Sequence, residues 1–595
     1  MVEDGQVYEF KGFRLEAAQR RLLHNGQPVP LKPKILDLLL LLLQMHGRLV
    51  EKEELMKEIW PNTIVEENNI TVSMSILRKL LGEDRNGRQF IETVPGRGYR
   101  FVAPVKVISA EEATVPETPP TVSPAVVAAD VETREPPIDS LAVLPLRNVS
   151  KDPNSEYLSE GITESIINTL SRISKLRVLA PSTVFRFKGK DVDPQEIGTL
   201  LNVRAVMLGR VMQLGEKLII RSELVKVADG SQIWGEQYDR TLSDLLVTQD
   251  EIAKAITESL KLKLTLQDKI RLSKRYTANT EAYNLYLRGR YFWNRYDKEW
   301  VLKGIEAFKQ AIAIDASYAL AYTGIADAYF RLSNVHASPL EVLPKAKEAA
   351  LKAVEIDNDL AEAHSSLGML RVYFDHDWAA AEREFNRALE LNPDLPLAHQ
   401  RYGTYLKLMG RFDESLAEYK HALELDPFSL QININIATIH FLKKETETAI
   451  AHLNKTLELE PNYMPAHFVL GNVYIQEKKW EEAISEFELI YRRDDEAYLA
   501  LGFLGYCHAM AGRRAEADSL RNILKDISQR TYVSPYGMIL ICVALGEIDQ
   551  AMELFERLYV ERNDWLVWLK VSPKLKHLHS DPRFRDLLRR VGFPD

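Results

Sequence analysis

The 595-residue chain has only two cysteines, Cys507 and Cys542. That excludes a disulfide framework and a four-cysteine zinc site, and it fits a reducing compartment. Long apolar runs are missing too. The longest, Ile35 to Leu43, contains Asp37 and is about half of the roughly 20 residues that span a bilayer. The first thirty residues lack a basic start followed by an apolar block, so the reading is a cytoplasmic chain with neither leader nor membrane span. Positive charge is scarce: 76 Lys+Arg face 85 Asp+Glu, a net of −9, so nucleic acid is not coated by bulk charge and any contact must be local. Signatures of catalysis are absent as well. There is no Gly-x4-Gly-Lys-Ser/Thr loop, no His-Glu-x2-His, no Gly-x-Ser-x-Gly and no calcium loop, which predicts no enzyme activity, no cofactor and no metal. His577 and His579 read as surface residues, Lys188-Gly-Lys190 as a solvated turn, and Glu160 with Glu164 as a solvated helix face.

One segment, Pro104 to Ile138, lacks glycine, leucine and aromatic residues but carries seven prolines and five glutamates. Such a stretch cannot bury a core, and its prolines favour an extended tether. It separates a unit over residues 1–103 from the rest of the chain, with 104–138 as the linker. At roughly 150 residues per domain the whole length predicts several cores.

Residues 139–265 alternate short β-branched runs with helical patterns. Strands are expected at Leu141–Leu146, Leu176–Leu179, Ala205–Gln213, Lys217–Val227 and Ser231–Tyr238. Helices are expected at Glu156–Ser171, Pro194–Leu201 and Leu242–Leu264, with hairpin turns at Leu214-Gly-Glu216 and Asp229-Gly230. The stretches Ala142-Val-Leu-Pro-Leu146, Tyr157-Leu-Ser-Glu-Gly-Ile-Thr-Glu164 and Trp234-Gly-Glu-Gln-Tyr-Asp-Arg240 resemble the TolB amino-terminal-like domain, which implies an α/β fold more than a function.

From residue 280 the sequence repeats. Small residues recur at Gly289, Gly324, Gly368, Gly403, Ala437, Gly471 and Gly505, spaced 35, 44, 35, 34, 34 and 34. A second column, Ala311, Ala353, Ala388, Ala422, Thr456, Ile490, Leu524 and Leu558, keeps the same period, and Phe385, Tyr419, Phe487 and Phe555 belong to a bulky column. A small residue on one helix lets the next approach, and the ring fills the space beside it. The pattern is clearest at Tyr402-Gly403, Gly410-Arg-Phe412, Tyr419, Ala422 and Pro427, and it resembles the tetratricopeptide repeat. About eight repeats are expected over 280–562, with an insertion near Asn334 to Leu343 in the second, and capping helices over 563–595. The resemblance implies a concave groove for a protein or peptide partner, lined from register by Gln400, Thr404, Lys407, Thr438, Asn472 and Gln476; solvated polar positions are the competing reading of all six.

The first unit carries helical runs at Pro33–Met45, Glu51–Trp60 and Glu66–Leu81, then a hairpin of Phe90–Val94 and Tyr99–Val102 around Pro95-Gly-Arg-Gly98. Leu31-Lys-Pro-Lys, Gly47-Arg-Leu-Val, Glu54-Leu, Trp60, Leu77-Arg-Lys-Leu-Leu-Gly82 and Thr93-Val-Pro-Gly-Arg-Gly-Tyr-Arg-Phe101 stand in the order of the winged-helix effector domain of OmpR/PhoB and ToxR/CadC regulators, which this unit resembles. The fold class is therefore multidomain: a winged helix, an α/β middle domain and an all-α repeat solenoid. In the third helix Ile70, Met74, Leu77 and Leu81 form the apolar stripe. Asn68, Thr71, Val72, Ser75 and Lys79 point away from it, with Asn69, Ile76 and Arg78 on its flanks. An asparagine there can read adenine, Val72 can pack on a thymine methyl, and Arg78 and Lys79 suit phosphates. The resemblance puts Arg97 in the adjacent minor groove, between two glycines that allow a tight turn.

The leading reading is a sequence-specific, nucleoid-associated transcriptional regulator that binds double-stranded DNA, with a homodimer on DNA as an option carried by the resemblance. Asn68 and Asn69 can also serve only as helix caps, and Trp60 and Tyr99 read as core. Residues 1–103 hold 15 Lys+Arg against 14 Asp+Glu, so a scaffold whose winged helix binds no DNA is the alternative. No receiver domain precedes the winged helix, which excludes phosphorylation in cis as the expected input.

Overall fold

A computed structural model describes residues 7–17, 21–24, 27–29, 33–59, 70, 73–74, 77–78, 81, 90–94, 97–108, 138–150, 155–262, 264–295, 298–335, 337–494 and 496–593. It falls into two compact units, Met1–Arg134 and Glu135–Asp595.

In the first unit, β1 (Val7–Phe10), β2 (Phe13–Glu16), β3 (Arg21–His24) and β4 (Gln27–Val29) form an antiparallel meander. The helices Pro33–Gln44 and Lys52–Ile59 come next, with β5 (Leu49–Glu51) between them. The wing is β6 (Ile91–Val94) and β7 (Gly98–Phe101), and β5 joins it to give the order β5-β7-β6. A further strand, β8 (Lys106–Ile108), pairs with β1, so the sheet takes in the first residues of the proline-rich tether. An edge strand bonds through its main chain and needs none of the apolar side chains that the tether lacks. Phe10, Phe13, Phe90 and Phe101 meet ring to ring and bind the first sheet to the wing.

The second unit begins with the α/β region. There β9 (Ser140–Val143), β10 (Arg147–Asn148), β11 (Arg177–Val178), β12 (Ala205–Leu214), β13 (Lys217–Lys226) and β14 (Gln232–Thr241) form one sheet ordered β11-β9-β12-β13-β14, with β10 beside β12. The two hairpins stand where the turn signals place them: Leu214 pairs with Lys217, and β13 returns as β14 after Asp229-Gly230. Helices Glu156–Leu170 and Leu245–Ser259 cover the sheet, burying Leu158, Ile162, Ile166, Ile252 and Ile256.

Among the described residues, eight antiparallel helix pairs then run from Thr280–Trp293 with Lys298–Ile314 to Tyr536–Leu545 with Ile548–Val560. The columns explain their contact. A Cβ on Gly368 would stand 2.7 Å from the Phe385 ring, on Gly403 3.1 Å from Tyr419, and on Gly471 2.7 Å from Phe487. The described residues of the insertion lengthen its two helices, Ala319–Val335 and Pro339–Ile356. A second device recurs on these pairs. The Nδ1 atoms of His364, His399 and His467 meet the carboxylates of Glu384, Glu418 and Glu486 at 2.6, 2.6 and 2.7 Å, while Nε2 meets the carbonyls of Asn358, Pro393 and Pro461. Each imidazole thus clamps the two helices of its repeat to the turn before it.

The α/β region and the repeats share one core. Arg290 pairs with Glu164, and Asp426 accepts from Ser182 and, at 2.6 Å, from Thr183. Glu164 is therefore buried and paired, not part of a solvated face. Lys188 is likewise no free turn residue: its Nζ lies 2.5 Å from both Glu156 and Glu160. In both cases the partner comes from another element, which helical spacing cannot reveal. Among the described residues no helix is long and apolar enough to cross a membrane.

Candidate nucleic-acid interface

The helical residues between 70 and 81 present the expected stripe inward: Ile70, Met74 and Leu77 are fully buried and Leu81 nearly so. They pack with Leu38, Leu39, Leu42, Leu55 and Ile59 of the first two helices. Burying four such side chains contributes roughly 1.5–3 kcal/mol each, so the register of this helix is firmly set. Asn68, Asn69, Thr71, Val72, Ser75 and Lys79 lie outside the described residues, as does Trp60.

Arg78 differs from the expectation of a phosphate contact. Its Nε and Nη2 donate to the Ile91 carbonyl at 3.2 and 3.0 Å, Nη2 also donates to Thr93 Oγ1 at 2.5 Å, and the guanidinium stands 5.9 Å over the buried Tyr99 ring. The flank of the stripe on which it sits faces β6, and the planar fork finds a strand carbonyl there. Arg78 braces the third helix against the wing. Charge alone assigns this arginine to a phosphate; the aromatic and the open strand end beside it come from residues 13 to 21 positions away.

Arg97 stands at the wing turn, its backbone N–H donating to the Val94 carbonyl at 3.0 Å and its carbonyl accepting from Lys52 N at 3.2 Å. The second bond ties the turn to the start of helix Lys52–Ile59. The side chain is 67% exposed and lies 3.8 Å from Glu51, itself 60% exposed. Such a pair is weak and screened by salt, so the guanidinium remains available to an anion. Gly98 serves a different purpose from the expected turn. A Cβ there would lie 2.0 Å from the Val50 carbonyl oxygen, so glycine is required by the close approach of β5.

Part of the face that the register assigns to the repeat groove is filled by the chain itself. The C-terminal segment, with Asp564–Trp568, Pro573–Ser580 and helix Pro582–Arg590, does more than cap the last pair. Trp568 stands 5.0 Å from Lys407 Nζ, Lys574 bonds Asn472, and Trp378 donates to the Val591 carbonyl at 3.0 Å and stacks on Phe593. Lys407 and Asn472 are thus buried by the chain itself and are not free for an outside peptide. An amphipathic end segment can cover an apolar groove as well as an apolar terminus, and periodicity does not choose between them. Lys407 donates to Asn435 at 2.8 Å, and burial pushes its ammonium down to about 7. Thr404 bonds Tyr419 at 2.7 Å and Thr438 bonds the Ile434 carbonyl. Gln400 borders a cavity, and the Oε1 of Gln476 is buried without a hydrogen bond among the described residues.

A winged helix with a braced third helix, followed by an α/β region and a tetratricopeptide-type solenoid, is the class of architecture these features define. Residues 26–101 match the family model "Transcriptional regulatory protein, C terminal", and residues 403–464, 445–497 and 468–524 match a tetratricopeptide repeat model. Three curated relatives place the chain further. A Rhizobium meliloti protein named for an adenylate cyclase is 30% identical over 245 residues, 41% of this chain and 42% of its own length. The transcriptional regulator HilA of Salmonella typhi is 24% identical over 401 residues, 66% of each chain. The transcriptional activator CadC of Escherichia coli is 35% identical over 113 residues, 18% of this chain and 22% of its own. The chain thus spans 42% and 66% of the first two relatives.

Proposed function

We propose that the protein is a sequence-specific DNA-binding transcriptional regulator whose C-terminal module senses a signal or holds a protein partner. The observation that carries this reading is Arg78 locking the third helix to the wing while Arg97 projects from the wing turn, so that helix and wing form one rigid, two-pronged surface. Rigid presentation keeps the ordering cost of groove binding low. From the helical register, Asn68, Thr71, Val72, Ser75 and Lys79 opposite the stripe, with Asn69 on its flank, are taken as base and phosphate contacts. The relatives named as transcriptional regulators support the assignment, and the protein acts on the nucleoid in the cytoplasm without catalytic chemistry of its own. A homodimer on repeated half-sites suits the fold. The α/β region is taken as a TolB amino-terminal-like module, and Gln400, Thr404, Thr438 and Gln476 remain as groove contacts for a protein partner.

Selection of fragments from a random oligonucleotide pool by residues 1–134, followed by gel shift, tests the reading. Arg97→Ala and Lys79→Ala should weaken binding to every DNA and lower the salt slope by about one each. Asn68→Ala should mainly relax base preference. Absence of sequence-dependent binding at low salt favours the scaffold reading, for which the net charge of only +1 over residues 1–103 speaks.

A further inference from the structure

A cavity of about 280 Å³ lies between the α/β region and the inner face of the first four repeats. Ligand sites favour such boundaries between packed modules. Two ion pairs stand in its wall. Glu164 takes both Nε and Nη2 of Arg290 on Oε1, and Asp327 takes Arg401 Nη2 and Ser366 Oγ on Oδ1, each at 2.7 Å. Both carboxylates thus use a single oxygen, and among the described residues Glu164 Oε2, Asp327 Oδ2 and Arg290 Nη1 carry no hydrogen bond. Buried pairs of this kind are poor stabilisers, because desolvation consumes most of their attraction.

Gln249 adds an orphan donor. Its Oε1 accepts from Ser165 at 3.0 Å and from Tyr283, whereas the buried Nε2 has no hydrogen-bond partner among the described residues. Tyr286 and Tyr318, with rings 5.2 Å apart, add an aromatic patch, and Arg172, Lys274 and Arg275 opposite Asp250, Glu362 and Asp426 complete the charged lining. The polar wall is charge-balanced and offers open acceptors and open donors together. A net cation or a net anion would leave one set unmet; a small molecule carrying both charges satisfies them at once.

We propose that this cavity binds a free amino acid, its ammonium against Glu164 and Asp327, its carboxylate against Arg290 and Gln249, and its side chain against the tyrosines. This gives a ligand class to the sensing half of the proposed function. Binding is measured without DNA, so its failure leaves the DNA reading untouched.

The test is thermal unfolding of the full chain with each of the twenty standard amino acids at millimolar concentration, followed by calorimetry on any that respond. At least one should raise the midpoint by several degrees, and its decarboxylated amine and its N-acetyl derivative should each bind at least tenfold more weakly. The paired replacement Glu164→Gln with Arg290→Met keeps the wall neutral and should abolish the response. Gln249→Leu, which removes the orphan donor together with the acceptor of Ser165 and Tyr283 but leaves both ion pairs, should weaken binding about tenfold and serves if the pair does not fold. No response to any amino acid, equal binding of the amine, or full binding by a folded Gln249→Leu chain overturns the proposal.

Discussion

Replacing Gly98 by alanine tests the geometry of the wing most directly. The added methyl would stand 2.0 Å from the Val50 carbonyl oxygen and 2.9 Å from the Glu51 Cα, both backbone atoms that no rotamer change can move. Ordinary contact needs roughly 3.5 Å, so β5 and β7 must separate by about 1.5 Å, enough to break the bonds around the Glu51–Gly98 pair. Overpacking costs about 1–3 kcal/mol and each lost bond about 1 kcal/mol, giving a loss near 3 kcal/mol. With a urea slope of about 1.5 kcal/mol/M for a domain of this size, the midpoint should fall by about 2 M. Gly47→Ala is the control. Gly47 has φ +79 and open space around it, so alanine meets only backbone strain, roughly 1–2 kcal/mol. Circular dichroism of residues 1–134 in urea should therefore rank Gly98→Ala below Gly47→Ala. An equal or reversed order would refute the close approach of β5 to the wing, and with it the rigid surface on which DNA binding is argued.

Three further outcomes rest on named contacts. Arg78→Met removes three charge-assisted bonds from a half-buried site and should cost about 2 kcal/mol in the same urea assay while lowering affinity for all DNA alike; loss of base preference with unchanged stability would contradict the bracing role. Glu51→Gln removes the carboxylate beside Arg97 and should raise DNA affinity severalfold at low salt, an effect that fades as salt rises; gel shifts along a salt series would show an unchanged affinity if Arg97 does not meet DNA. Lys407 is held at about 7, below its ordinary 10.5, so between these values the unfolded chain binds the extra proton. Stability of the repeat region should rise with pH across that window, by up to about 1.4 kcal/mol per pH unit, and fall as pH drops through 7. Lys407→Met should flatten this slope in unfolding curves taken at several pH values, and an unchanged slope would place the lysine in water.

Much of this molecule was legible in one dimension because its order is local. The 34-residue period, the Gly403–Tyr419 and Gly471–Phe487 partners, the stripe Ile70, Met74, Leu77 and Leu81, and the two hairpins of the α/β sheet all come from spacing along the chain. Helical and strand periodicities set which side of an element is apolar, and short turns leave few choices for the next. The candidate interface was half readable in the same way: the apolar face of the third helix comes from its angles, and Arg97 from its place in a turn.

What lay beyond the sequence was the destination of each polar group once elements from distant parts met. Glu164 reads as solvated until Arg290 arrives from 126 positions away, and Arg78 reads as a phosphate ligand until β6 and Tyr99 stand beside it. Lys407 and Asn472 read as an open groove until the last thirty residues fold back over them. A side chain's type and periodicity determine which face of its element it occupies. Only the docking of modules decides whether that face meets water, a counter-charge or the chain's own end, because those contacts depend on separations in space that sequence spacing does not encode.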